Sequence, residues 1–211
     1  MLKLYDDELC GDSYKARLLM GLLGLEAERI RVERYPSRQH DTPAFRELSP
    51  LGALPVLQDD TTTLADAHAI LVWLAQRYDA GGTWLSANDA RVSAQVQRWL
   101  GVATSLSQSV FARREQVLHD IGAPLPAADR EARPLLRLLD ETCWFNEAMG
   151  TPFLCATRMP TIADIACFVP VALLDEAQID TIDYPSLATW CARIKRLQGF
   201  VTMAGVYAAY S

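Results

Sequence analysis

The period of apolar and polar positions changes several times along this chain, and each change marks an element. Leu2-Lys3-Leu4-Tyr5 alternates as a half-buried strand does. After the polar run Asp6-Asp7-Glu8, apolar residues recur at Ala16, Leu19, Met20 and Leu23, the spacing of one helix face, with Asp12 or Ser13 as the expected N-cap and Gly24 as the stop. Ile30 and Val32 alternate with charged residues, so Leu25 to Val32 reads as a second strand. Tyr35 to Pro50 holds three prolines and little period, which predicts a loop with one short helix at Ala44 to Leu48. Two short apolar runs follow, Leu54 to Leu57 and Thr61 to Leu64, joined by the polar turn Gln58-Asp59-Asp60. Pro55 cannot donate to a sheet ladder, so it belongs at a strand edge or bend, and a cis Leu54-Pro55 bond meets that need. From Ala67 the apolar positions Ala67, Ile70, Leu71, Leu74 and Tyr78 return to helical spacing, placing a helix start at Asp66-Ala67.

Beyond the Gly81-Gly82 linker the strand pattern stops. Ala90 to Leu118 carries a long helical period, Pro124 to Pro126 breaks it, and Arg130 to Met149 resumes with Leu135, Leu138 and Leu139 on one side until Gly150. Thr161 and Asp164 have the spacing of a capping box ahead of Ile165-Ala166-Cys167-Phe168-Val169, a segment apolar on nearly every side and so expected to be buried. Tyr184-Pro185-Ser186-Leu187 opens a helix running through Lys195, and a short terminal helix is expected over Phe200 to Tyr210. The pattern divides the chain into residues 1–80, mixed α and β, and residues 88–211, all helical.

Composition narrows the class of protein. At 211 residues with 50% hydrophobic and 22% charged positions, the chain can bury a sizeable core. A formal net charge of -6, with no run of Lys and Arg, argues against nucleic acid as a partner. No apolar segment is long enough to span a bilayer, and the first residues lack the parts of a signal peptide, so no membrane partner is expected and the expected compartment is the cytoplasm. Five cysteines without paired spacing and three scattered histidines form neither a disulfide framework nor a metal-ligand pattern. Most of the cysteines are expected to be small core residues, and no metal is expected.

Two stretches carry a resemblance. Leu54-Pro55 followed by Asp66-Ala67 resembles the glutathione-binding core of the glutathione transferase family, in which a hydrophobic-Pro pair enters a strand and an acidic-Ser pair opens the next helix. Met159 to Ala166 resembles that family's buried-helix signature, and Tyr184 to Trp190 with Gly199-Phe200-Val201 its closing helices. The resemblance covers essentially the whole chain. It implies an α/β thioredoxin-like N-terminal domain plus an all-α C-terminal domain, glutathione as co-substrate, a small hydrophobic electrophile as second substrate, and a homodimer.

The resemblance also assigns residues. Cys10 stands where the family has its activating side chain, just before a helix start whose dipole favours a thiolate, and Ser13 is the second candidate to touch the glutathione sulfur. Asp12 beside Cys10 opposes ionisation of a thiol there. Leu54 before Pro55 would pair its backbone with the cysteinyl part of glutathione, Asp66 and Ala67 would hold the γ-glutamyl end, and Gln39 or His40 would reach the glycine carboxylate. Ala67 lacks the family's hydroxyl, a loss of roughly 0.5 to 1.5 kcal/mol for one hydrogen bond, and Ala53 stands where many relatives carry a lysine. Tyr5 reads as a packing residue and His68 as a solvated helix residue, while Trp99, Phe111 and Arg113 lie on the helix that walls the family's second-substrate site. Two further readings remain open: a thiol transferase that works through a Cys10 mixed disulfide, and a non-catalytic binding protein that kept the fold.

Overall fold

The computed structural model describes residues 1–86, 88–120 and 126–207, the side chains of residues 126–129 excepted. Its first part is a four-stranded sheet in the order β2-β1-β3-β4, made of β1 (Lys3–Asp6), β2 (Glu28–Arg31), β3 (Val56–Gln58) and β4 (Thr63–Leu64). β1 and β2 are parallel, whereas β1–β3 and β3–β4 are antiparallel, with Leu4 opposite Leu57 and Leu57 opposite Leu64. The parallel pair needs a crossover, supplied by α1 (Gly11–Leu22). α2 (Pro43–Leu48) follows a single 3-10 turn at Gln39–Asp41, and α3 (Ala67–Tyr78) follows the hairpin. The remainder is helical: α4 (Ala90–His119), α5 (Pro126–Ala148), α6 (Ile162–Ala172) and α7 (Pro185–Lys195). This is a thioredoxin-like layer joined to a helical region.

Three expectations need correction. α1 opens at Gly11 with Cys10 as its N-cap residue, so Asp12 and Ser13 lie inside the first turn and neither caps it. Both side chains have other surroundings: Asp12 accepts from Lys15 and Ser13 is wholly buried. α5 begins at Pro126, earlier than Arg130, because proline is tolerated in a first helical turn. The expected break at Pro124 and the end of the terminal segment at Tyr210 lie outside the described residues. No helix forms over the described residues after Phe200. There the chain runs irregularly against α1: the Tyr14 hydroxyl donates to Val201 O at 2.7 Å, and Gly199, at φ +84°, sits so close to Gly21 that an added Cβ would lie 2.4 Å from its carbonyl oxygen.

The core runs through both parts. Leu18 and Leu19 of α1 and Ile70, Leu71 and Leu74 of α3 share it with Trp99 of α4 and the whole of α6, which is buried nearly throughout. Trp99 is wholly buried and its indole N–H donates to Leu154 O at 3.0 Å, so it is a core residue and no part of a cavity wall. Cys143, Cys155 and Cys167 are buried in this core and Cys191 is partly buried, as small apolar residues would be.

Asp164 is fully enclosed and accepts four hydrogen bonds. They come from Thr161 N–H at 2.8 Å, the Thr161 hydroxyl at 3.2 Å, Leu154 N–H at 3.0 Å and the Trp190 indole at 3.1 Å. Burial pushes its carboxyl above the usual range, and the donated bonds oppose that. Asp164→Ala would strand buried donors from three segments, so an urea-unfolding midpoint should report a loss of about 3 kcal/mol or more, with Asp164→Asn intermediate. A midpoint within experimental error of the parent would refute this role.

Candidate functional site

Between the sheet and α4 lies a cleft of about 360 Å³ whose walls come from four places: the start of α1, the chain before β3, the start of α3 and the middle of α4. Each is exposed by a local feature. At α1 the first residue is Gly11, and the Phe111 ring of α4 lies so near that a Cβ there would sit 2.4 Å from it; only glycine lets the helix start approach α4. Before β3, the Leu54-Pro55 bond is cis, as expected, and among the described residues neither N–H nor C=O of Leu54 makes a hydrogen bond. At α3, Asp66 is the N-cap and accepts the Ala69 N–H through Oδ1 at 2.7 Å. The N–H groups of Ala67 and His68 have no intrahelical acceptor and stand at the positive end of the helix.

The structure brings Cys10, Leu54, Asp66 and Ala67 together around this cleft. Ser13 does not line it. Its hydroxyl is buried without a hydrogen-bond partner, and together with Ser13 N–H it lies where it favours a Cys10 thiolate. His40 lines an adjoining cavity of about 650 Å³, which also touches Cys10. Gln39 lines neither, because its side-chain carbonyl accepts the Glu33 N–H at 2.9 Å. Arg113 points away, donating to Ala177 O at 3.1 Å, and Tyr5 is a packing residue against Phe45.

Cys10 is buried, and that burial, with Asp12 next, pushes its thiol up; Arg34 and Ser13 pull the other way. A nucleophilic cysteine needs a depressed pKa and access, so Cys10 fits a hydrogen-bonding neighbour of a bound thiol better than a covalent intermediate.

Sequence reading missed the floor of the cleft. Lys15 is only 1% exposed, and its ammonium meets Asp12 at 2.7 Å, the Ser107 hydroxyl at 2.8 Å and His68 Nε2 at 3.3 Å. His68 is therefore no solvated surface residue, and its other ring nitrogen lies 3.3 Å from the Thr104 hydroxyl. The signal available was Lys15 itself, a charge on the α1 face where apolar residues recur. The effect is to neutralise Asp12, the group that works against a thiolate at this helix start. Among the described residues no group of three His, Cys, Asp or Glu is placed to hold a metal.

A thioredoxin-like sheet carrying an unpaired backbone before its proline, packed through α1 on a helical region, defines the fold class with which known proteins can be compared. The family model described as "Glutathione S-transferase, N-terminal domain" matches residues 9–77. The chain is 26% identical over 172 residues to Glutathione S-transferase T1 of Arabidopsis thaliana, covering 78% of this chain and 69% of that one. It is 31% identical over 99 residues to Glutathione S-transferase F13 of the same plant, covering 46% and 45%. Among solved structures, a glutathione S-transferase from Pseudomonas fluorescens Pf-5 superposes with a TM-score of 0.83 at 27% identity over 96% of this chain and 98% of that one. A glutathione transferase homolog from Lodderomyces elongisporus, solved with two GSH per subunit, gives 0.82 at 19% identity over 94% of both. Residues 9–77 thus match the glutathione S-transferase N-terminal domain, and the chain as a whole is similar in sequence and fold to glutathione transferases.

His68 offers a pH test of the floor. Burial first, then Lys15, pushes its pKa down from 6.5 to about 4, while Asp12 and Asp66 pull upward. The folded chain thus binds this proton less readily than the unfolded one, so the contribution is complete above the unfolded pKa and is lost as pH falls toward the folded value. Between about pH 7.5 and pH 5 the protein should lose about 2 kcal/mol more stability than His68→Gln. Parallel stability-against-pH curves for the two would contradict it.

Proposed function

We propose that the chain binds reduced glutathione in the 360 Å³ cleft and activates its thiol for attack on a small electrophile. The observation that carries this reading is the unpaired Leu54 backbone facing the cleft across from the free N–H groups at the start of α3. A peptide-like ligand with an ionised α-amino acid end meets both needs. Its cysteinyl backbone would pair with Leu54, its γ-glutamyl carboxylate would take the Ala67 and His68 N–H groups, and Asp66 would hold the ammonium. The missing hydroxyl at Ala67 weakens this end without removing it, since the backbone donors remain.

The glutathione sulfur would then lie by the start of α1. Favouring its thiolate are the helix dipole, the Cys10 thiol and Ser13 behind it, and the Arg34 cation; Asp12 opposes, and Lys15 offsets Asp12. In the transfer step the thiol proton leaves to solvent, a carbon–sulfur bond forms, and the electrophile's leaving group departs with the electrons of the broken bond. The family's homodimer belongs to the same proposal, with the apolar groove of Leu64, Val72, Trp73 and Leu100 as the face available for a second copy. No described helix is long and apolar enough to cross a membrane, and the cytoplasm is carried forward as the proposed compartment.

Calorimetric titration with reduced glutathione tests the reading without any knowledge of the electrophile. Ala67→Ser adds one charge-assisted donor, worth roughly 1.5 to 3 kcal/mol, and should tighten glutathione by about one to two orders of magnitude. Asp66→Ala should weaken it by removing the ammonium's partner. If neither variant changes the affinity, the start of α3 is not the γ-glutamyl site.

A further inference from the structure

The second cavity, of about 650 Å³, meets the cleft at Cys10, and the two share Arg34 and Arg114. Arg114 is 2% exposed. Its Nε donates to Glu176 at 2.5 Å and its Nη1 to Leu9 O, but Nη2 is enclosed without any acceptor. An unpaired, desolvated donor on a permanent cation is among the costlier features a fold can keep, and such a group calls for a partner that the chain does not itself supply.

The charges around it show which partner is missing. Of the nearby acids, Glu115 is taken by Arg34, Glu33 by Arg31, and Asp7 by the N–H groups of Leu9 and Arg34. Arg34 uses only Nη1, so its Nε and Nη2 are uncommitted among the described residues. Two arginines therefore retain free donors at the junction, against one uncommitted rim carboxylate, Glu8. The rest of the wall suits a ring: Tyr35 stacks on His119 with centroids 4.2 Å apart, and Leu118 is exposed beside it.

We propose that this cavity takes the second substrate and that the substrate is an aromatic or similarly flat electrophile bearing a carboxylate, bound by Arg34 and Arg114. The assignment of the ligand as second substrate rests on the transferase reading above; the anion preference does not. It replaces the plain hydrophobic electrophile expected from the family resemblance. Arg34, partly exposed, makes the first contact, and the Arg114 guanidinium, with Nη2 free, lies in the wall that the two cavities share.

The probes are 4-chloro-3-nitrobenzoate and its uncharged isostere 4-chloro-3-nitrobenzamide, each titrated by calorimetry into the full chain with no glutathione present. The benzoate should bind about tenfold tighter or better, the scale of one charge-assisted pair. Arg34→Gln should bring the benzoate down toward the amide's affinity and leave the amide unchanged. Arg114→Gln should do the same, and if that buried variant fails to fold, Arg34→Gln carries the test alone. Equal binding of acid and amide by the parent chain overturns the proposal, as does an undiminished preference in Arg34→Gln. Displacement of the benzoate by reduced glutathione also overturns it, because the anion held there would then be glutathione's own carboxylate. A separate titration showing no glutathione binding would sink the transferase reading while leaving the benzoate preference standing.

Discussion

The enclosed carboxylate of Asp164 sets the frame on which the cleft is built. Its four donors come from the start of α6, from the Leu154 segment and from α7, so a single group fixes three pieces of chain to one another. α6 in turn is the buried helix against which α1 and α4 pack. Since α1 supplies Cys10 and Lys15, and α4 supplies Ser107, Phe111 and Arg114, the distance between the two walls of the cleft depends on where α6 sits. A carboxylate buried in this way costs desolvation energy, and only its full set of hydrogen bonds offsets that cost.

Electrostatics at the start of α1 follow from a conflict and its resolution. Asp12 lies in the first turn, where a negative charge suits the helix dipole, yet the same charge raises the pKa of any thiol beside it. Lys15, one turn on, faces Asp12 and is buried by α3 and α4, where His68 and Ser107 satisfy its remaining protons. The result is a paired Asp12 that still supports the helix start. His68 must be neutral to accept from an ammonium, which is consistent with its lowered pKa.

Much of this was legible in the sequence because it depends on local pattern. The helical period from Ala67 and the acidic residue before it fixed the start of α3, and Asp66 caps it. Thr161 and Asp164 announced α6 through their spacing, and Pro55 announced a break in the ladder that leaves Leu54 free. What failed was whatever depends on distant partners. Asp12 and Ser13 looked like caps because they are good cap residues, but Asp12 is committed to a lysine and Ser13 is buried inside the first turn near Cys10. The terminal helix was expected from apolar residues after Phe200, but a tyrosine far earlier in the chain ties that segment to α1 in irregular turns. Lys15 and Arg114 acquire their roles only when helices well separated in sequence come together.

That dependence on distant partners bears on how the two cavities work together. Arg114 is fixed at Nε by Glu176 of the helical region and at Nη1 by Leu9 of the sheet region, so its guanidinium bridges the two parts at the point where both cavities meet Cys10. Arg34 does the same from the sheet side, reaching Glu115 on α4. Any anion drawn to the free donors of this pair would also be held beside the start of α1, with its uncharged end directed along the Tyr35 and Leu118 wall. A cation that neutralises an incoming anion at this place also favours a thiolate on the neighbouring ligand, because Arg34 lowers the pKa of a thiol at the Cys10 position. On the proposed reading, binding of the one substrate and activation of the other would draw on the same charge, and an anion that fully neutralised Arg34 would remove part of the stabilisation a thiolate there receives. Arg114, whose Nη2 is the other unpaired donor at this junction, is the group that could share such an anion and so leave Arg34 its effect on the sulfur.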